Sequence, residues 1–161
     1  MNYLYRGKQF YTYYTAKIYD EDWKFLSKYL NDEQLKIFLQ LPLYEQRHSI
    51  DVAYSVLHMR PDASRELVIA ALMHDIGKGN ALTPLKKALA VLLDKFMHKL
   101  AVKLSKRWYF LYIYYNHPEI GGKLAKKIGL PGRSIYLIEH HNDRDPADED
   151  VILLQNADGK N

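Results

Sequence analysis

Apolar residues recur along this 161-residue chain at intervals of three and four, the period of helices that each bury one face. Trp23, Leu26 and Leu30 mark a helix over residues 20–30, and a second follows over 33–41, with Asn31-Asp32 as its start signal and Pro42 closing it. His48, Val52 and Val56 share one face of a longer helix over 43–59, which the turn Arg60-Pro61-Asp62 ends. The next segment differs in kind. Residues 67–73 are all apolar, so a helix there has no polar side and belongs at the centre of its domain, capped by Asp62 or Ser64.

His74 and Asp75 fall in the last turn of that central helix, just ahead of Gly77, a residue type suited to a helix end. A loop leads to Pro84, at the first-turn position of an amphipathic helix running to about Arg107. Residues 108–115 are rich in aromatics and have strand propensity, but the pattern offers no partner strand, so they are read as helix or extended connection. His117-Pro118 is expected to open a helix ending near Gly129. Ser134 is expected to cap a short one that reaches His140-His141, and residues 151–158 to form the last. Residues 1–19 are irregular and Tyr-rich, and read as a surface-packed arm. The expectation is an all-α fold, a compact bundle of about six to eight helices around the central one. Residues 1–42 would be an arm with lead-in helices on a working core of 43–161, one structural domain overall.

Composition narrows the chemistry. With no cysteine, disulfides, thiolate catalysis and cysteine-held zinc are excluded, so any metal must be held by histidine and carboxylate. No apolar run approaches the ~20 residues of a membrane span, and the start of the chain lacks the apolar run of a signal peptide. A cytoplasmic protein without a membrane partner is expected. The charge of +4 suits an anionic small molecule. Nucleic acid is disfavoured: the densest basic stretch, Lys95, Lys99, Lys103 and Lys106-Arg107, fits one solvated helix face. The oligomeric state is left open, a homo-oligomer included.

Burying His74 and Asp75 without a partner is costly, and a metal ion satisfies neutral imidazole and carboxylate together. Each histidine alone is better explained by packing than by ligation. The set is what points to a metal: His48 facing inward, the pair His74-Asp75, His117 beside a proline, the pair His140-His141, and the late Asp158. His58 and His98 stand apart from it. Lys78, just past the pair, is a candidate contact for a phosphate or a leaving-group oxygen. Asp51 and Glu139 are candidates to orient imidazoles, and Glu45 is a candidate further ligand.

In this order and spacing the residues resemble the HD-domain metal-dependent phosphohydrolases over about 43–161. The resemblance is carried by His48 in Arg-His-Ser, His74-Asp75-Ile76-Gly77-Lys78, His117-Pro118-Glu119-Ile120-Gly121, Glu139-His140-His141, and Asp158 in Asn-Ala-Asp-Gly. It implies that 43–161 is an HD metal-binding domain. In it His48, His74, Asp75 and Asp158 would bind one ion and His117, His140 and His141 a second, with Asp75 bridging.

The ions would be one or two divalent transition metals, with iron, manganese, cobalt, nickel and zinc all compatible. The implied activity is hydrolysis of a small phosphorylated substrate, a nucleotide among the candidates. Asp75 and Lys78 would serve catalysis, and Lys78, Arg47 and Arg133 would meet substrate. The Gly-Tyr-Pro motif of the cyclic-di-GMP phosphodiesterase branch is absent after His140-His141. The small bacterial diadenosine tetraphosphate hydrolases share the compact plan, and the double histidine favours two ions over the single-metal deoxynucleotidase branch. With three residues after Asp158, no later substrate-binding helix is expected. Two other readings use the same site: a di-iron oxygenase, and a non-catalytic nucleotide-binding signalling module.

Overall fold

A computed structural model of the chain describes residues 15–161, so most of the Tyr-rich arm expected over 1–19 lies outside the described residues. Among the described residues the protein is all-α. Helix α1 is Asp20–Tyr29 and α2 is Asp32–Phe38, with Asn31 as the N-cap between them. The Asn31 side chain accepts from the Gln34 backbone N–H at 2.9 Å, and the Gln34 side chain accepts from the Asn31 N–H at 3.1 Å. There follow α3 (Leu43–Met59), α4 (Arg65–Met73), a 3-10 turn (Ile76–Lys78), α5 (Pro84–Ser105), α6 (Tyr109–Lys127), α7 (Gly132–His140) and α8 (Glu149–Asp158).

Helix α4 is the axis of the bundle. Helices α3 and α7 pack along it, and α1 and α8 also touch it. Its residues 67–73 are 0–3% exposed, as a helix without a polar face requires. Burying each of Leu67, Leu72 and Met73 contributes about 1.5–3 kcal/mol. Ser64 is the N-cap, its hydroxyl accepting from the Leu67 N–H at 3.2 Å. Core residues from α1 and α2, such as Leu26 and Phe38, belong to the same apolar cluster as those of α3, α4, α7 and α8.

Several boundaries depart from the sequence expectation. The aromatic run is helical and continuous with the helix expected from His117 onward, because α6 starts at Tyr109 and passes straight through Pro118. Buried Leu111 and Ile113 hold that segment in the core, which outweighs the loss of one helical hydrogen bond at the proline. Pro131, not Ser134, is the N-cap of α7. Ser134 is fully buried, and its hydroxyl donates to the Glu66 carbonyl at 2.8 Å, fastening α7 to α4. Helix α4 stops at Met73, so His74 is its C-cap and Asp75 lies in the turn beyond.

Candidate metal centre

The stop at Met73 is what brings the titratable pair to the edge of the core. The adjoining 3-10 turn packs against α6. Gly77 permits this, for a reason other than ending a helix. A Cβ on Gly77 would lie 2.0 Å from the His117 carbonyl oxygen and 2.6 Å from the Gly121 nitrogen, so only glycine lets the turn lie on the α6 backbone.

Six of the sequence candidates meet in two adjoining groups: His48, His74 and Asp158, and Asp75, His117 and His141. Within each group the candidate ligand atoms lie within 4.8 Å of one another. In the first, His48 Nε2 is 2.8 Å and His74 Nε2 3.8 Å from Asp158 Oδ1. In the second, His117 Nε2 and His141 Nε2 are 3.6 and 3.7 Å from Asp75 Oδ1. Asp75 joins the two groups, since its other oxygen, Oδ2, lies 3.2 Å from His74 Nε2. The rings of His48, His74, His141 and His117 form a chain with centroids 5.2–5.6 Å apart.

Three of these rings are oriented in the same way, by a carbonyl three residues earlier. His74 Nδ1 donates to Ala71 O at 2.9 Å, His117 Nδ1 to Tyr114 O at 3.0 Å, and His141 Nδ1 to Ile138 O at 2.7 Å. Each carbonyl is one without a helical partner. Ala71 and Ile138 lie in the last turns of α4 and α7, where carbonyls have no N–H to accept. Tyr114 would accept from residue 118, but that residue is proline and has no N–H. Because a carbonyl only accepts, each Nδ1 carries the proton and each Nε2 turns a lone pair toward the centre in the neutral ring.

The site is strongly polarised. Burial opposes charge on His74, but Asp75 and Asp158 outweigh it and hold the ring up at about 9. Burial lowers both His117 and His141, joined at His117 by the Lys78 ammonium and the His141 ring and at His141 by the His74 ring, pushing them down to about 3 and about 4. Asp75 is held well below the usual carboxylate range despite burial, by His74 and Lys78. Burial likewise fails to raise Asp158, which His48 and His74 hold down. Lys78 is itself buried, its Nζ on Asp75 Oδ2 and 3.7 Å from Glu45 Oε2. Asp75 and Glu45 keep it charged against the cost of burial.

Other candidates are not brought to the centre. The His140 side chain is 39% exposed, its ring against Tyr136 and its Nδ1 2.7 Å from Asp143. Adjacent residues at the end of α7 point different ways, and only His141 turns inward. Arg47, expected at substrate, is paired with Asp22 at 2.5 Å and Asp51 at 2.8 Å. Arg133 is held by Asp148 and Asp150, both at 2.7 Å, and ties α7 to the start of α8. Asp51 therefore serves Arg47, and Glu139 is exposed beside Gly122. Backbone carbonyls orient His74, His117 and His141 in place of such carboxylates. Asn142 was not anticipated: its Nδ2 donates to His117 Nε2 at 3.2 Å, and its position directly after the histidine pair was the available signal. A cavity of about 550 Å³ borders the 3-10 turn at Ile76, Gly77 and Lys78, and none of the six grouped residues lines it.

A family model described as HD domain matches residues 46–159, most of the chain and all six grouped residues. The chain belongs to the HD-domain family. HD domains bind divalent metals, and the family is generally one of hydrolases. No curated protein and no solved structure matches the chain.

The residues of this HD domain fit such an ion. His74 Nε2 is buried without a hydrogen-bond partner and faces two carboxylates. Imidazole nitrogen with carboxylate oxygen is a donor set for first-row divalent metals. The two groups differ in access. Asp158 and His48 are 37% and 13% exposed, whereas Asp75, His117 and His141 are buried. One group thus opens to solvent and the other is enclosed. Among the described residues no helix is long and apolar enough to cross a membrane.

Proposed function

We propose that this HD domain is a metal-dependent phosphohydrolase that cleaves an ester or anhydride bond of a nucleotide or other small phosphorylated compound, using two ions. The observation that supports it most is Asp75, whose two oxygens face different sets of imidazole nitrogens. A structural ion needs one closed set of ligands, whereas a bridging carboxylate with one solvent-facing flank suits hydrolysis.

His48, His74, Asp158 and Asp75 would hold one ion, and Asp75, His117 and His141 the other. Bound there, the ions supply charge neutralisation for phosphate oxygens and acidify a water. The chain supplies the rest. Carbonyl-held Nδ1 protons fix the rings of His74, His117 and His141 so that each Nε2 faces the centre, and His74 gives up its Nε2 proton when it takes an ion. Burial keeps His117 and His141 neutral at physiological pH, so their Nε2 atoms carry no proton and an ion would need only to displace Asn142 from His117. Asp158 and His48 form the flank from which water and substrate approach. Lys78 stays charged at the edge of the centre and offers an ammonium to a developing negative charge.

The test is phosphate release by metal-stripped protein over a panel of nucleotides and simple phosphate esters, with manganese, iron or cobalt restored. Turnover that depends on the ion and disappears with Asp75→Ala supports the assignment. Bound metal with no turnover in any combination overturns it, and oxygen uptake by the iron form would move it to the oxygenase class.

A further inference from the structure

Glu45 stands on α3 one turn before His48 and is 2% exposed. It ligates nothing in either group of candidate ligands. Its Oε2 faces the Lys78 ammonium at 3.7 Å, and its Oε1 has no hydrogen-bond partner. Lys78 rests on Asp75 Oδ2, the oxygen that also faces His74 Nε2. Resting on the metal-centre reading above, this arrangement sets a conflict. An ion held between His74 and Asp75 requires Oδ2, and a cation there repels an ammonium on the same oxygen. A buried ammonium cannot simply be released, since an unpaired charge in the core is costly. The carboxylate beside it with an unused oxygen is Glu45.

We propose that Glu45 is a second seat for Lys78: when Asp75 takes an ion, the Lys78 ammonium transfers from Asp75 to Glu45 and remains, charged, at the edge of the centre. Glu45 is then a positioning residue that acts on the ion only through Lys78. Removing its charge leaves Lys78 bound to Asp75, where it competes with the ion. Removing Lys78 removes the competition and, with it, the need for Glu45. This separates the proposal from two simpler roles for a buried carboxylate, direct ligation and plain attraction, neither of which depends on Lys78.

The experiment is a calorimetric manganese titration of the metal-stripped full chain in four forms: wild type, Glu45→Gln, Lys78→Met and the double variant. The expected result is about a tenfold loss of manganese affinity for Glu45→Gln in the wild-type background, a gain for Lys78→Met, and a change below about twofold for Glu45→Gln in the Lys78→Met background. Equal losses in both backgrounds overturn the proposal, as does unchanged affinity in the single Glu45→Gln variant. If circular dichroism shows Glu45→Gln unfolded, Glu45→Asp, whose shorter side chain withdraws the carboxylate from Lys78, replaces it under the same criteria. Failure of the wild type itself to bind manganese overturns the metal-centre reading, a result distinct from any pattern among the variants.

Discussion

His48 on α3 and Asp158 at the end of α8 meet at 2.8 Å, Nε2 to Oδ1, although they stand near opposite ends of the segment that carries the family match. This contact closes the outer flank of the centre. Because Asp75, His117 and His141 form the inner group without it, the two flanks should be separable. Asp158→Ala is expected to lower bound metal from about two equivalents to about one, with the inner ion retained. Stoichiometry by elemental analysis after gel filtration checks this, and loss of both ions would show that the groups act as one.

The adjacent residues His140 and His141 should behave in opposite ways. His141 Nε2 faces Asp75 Oδ1, whereas His140 is turned outward to Asp143 and Tyr136. His141→Ala is expected to lower affinity for the inner ion by at least about a hundredfold, and His140→Ala by less than about threefold. Competition with a chromogenic chelator measures both. Equal effects would contradict the geometry.

The histidines also set a pH profile for metal-stripped protein. His74 is held up at about 9, above the 6.5 of an unperturbed ring, so the stability it contributes is complete below 6.5 and is lost as pH rises through 9. His117 and His141, pushed down to about 3 and about 4, contribute stability that is present above 6.5 and lost as pH falls toward those values. The melting temperature of the stripped protein is therefore expected to peak near neutrality and decline on both sides. Metal binding must drive the proton from His74, so manganese affinity should rise by about tenfold per pH unit between 6.5 and 9. Thermal melts and titrations across that range check both; an affinity independent of pH would contradict the assignment of His74.

Gly77 should be intolerant where other glycines are not. Its added methyl group would strike backbone atoms of His117 and Gly121, which cannot move independently of α6. Gly77→Ala is expected to cost about 3 kcal/mol and to weaken metal binding, because it pushes Asp75 and His117 apart. Gly132, the first residue of α7, has open space around its Cβ position, and Gly132→Ala should be neutral or stabilise by about 0.5 kcal/mol. Urea denaturation of the two variants distinguishes them.

How much of this was legible in the sequence depends on the kind of signal. The all-apolar run 67–73 could be satisfied only by a central helix, and α4 is one. Helix periodicity also placed α3 and the inward face of His48. Local signals failed where tertiary packing overrode them. Pro118 reads as a helix start by propensity, yet buried neighbours carry α6 through it, and the carbonyl it frees becomes the anchor of His117. Neither His140 nor His141 could be chosen from spacing alone, because a shift of one residue at a helix end decides which ring turns inward. The arginines looked available for substrate because most of their carboxylate partners, Asp22, Asp148 and Asp150, lie on other elements; Asp51, one turn on from Arg47 in α3, is the exception. Glu45, a candidate ligand from its spacing to His48, is instead packed by α3 against Lys78, a partner that lies outside its own helix.

The most direct measurement is elemental analysis of the full chain, prepared without a histidine tag, exposed to manganese and iron and then desalted. A centre bridged by Asp75 predicts about two equivalents of divalent transition metal in the wild type and almost none in Asp75→Ala, with both proteins folded by circular dichroism. A folded wild type that retains no more metal than Asp75→Ala would contradict it.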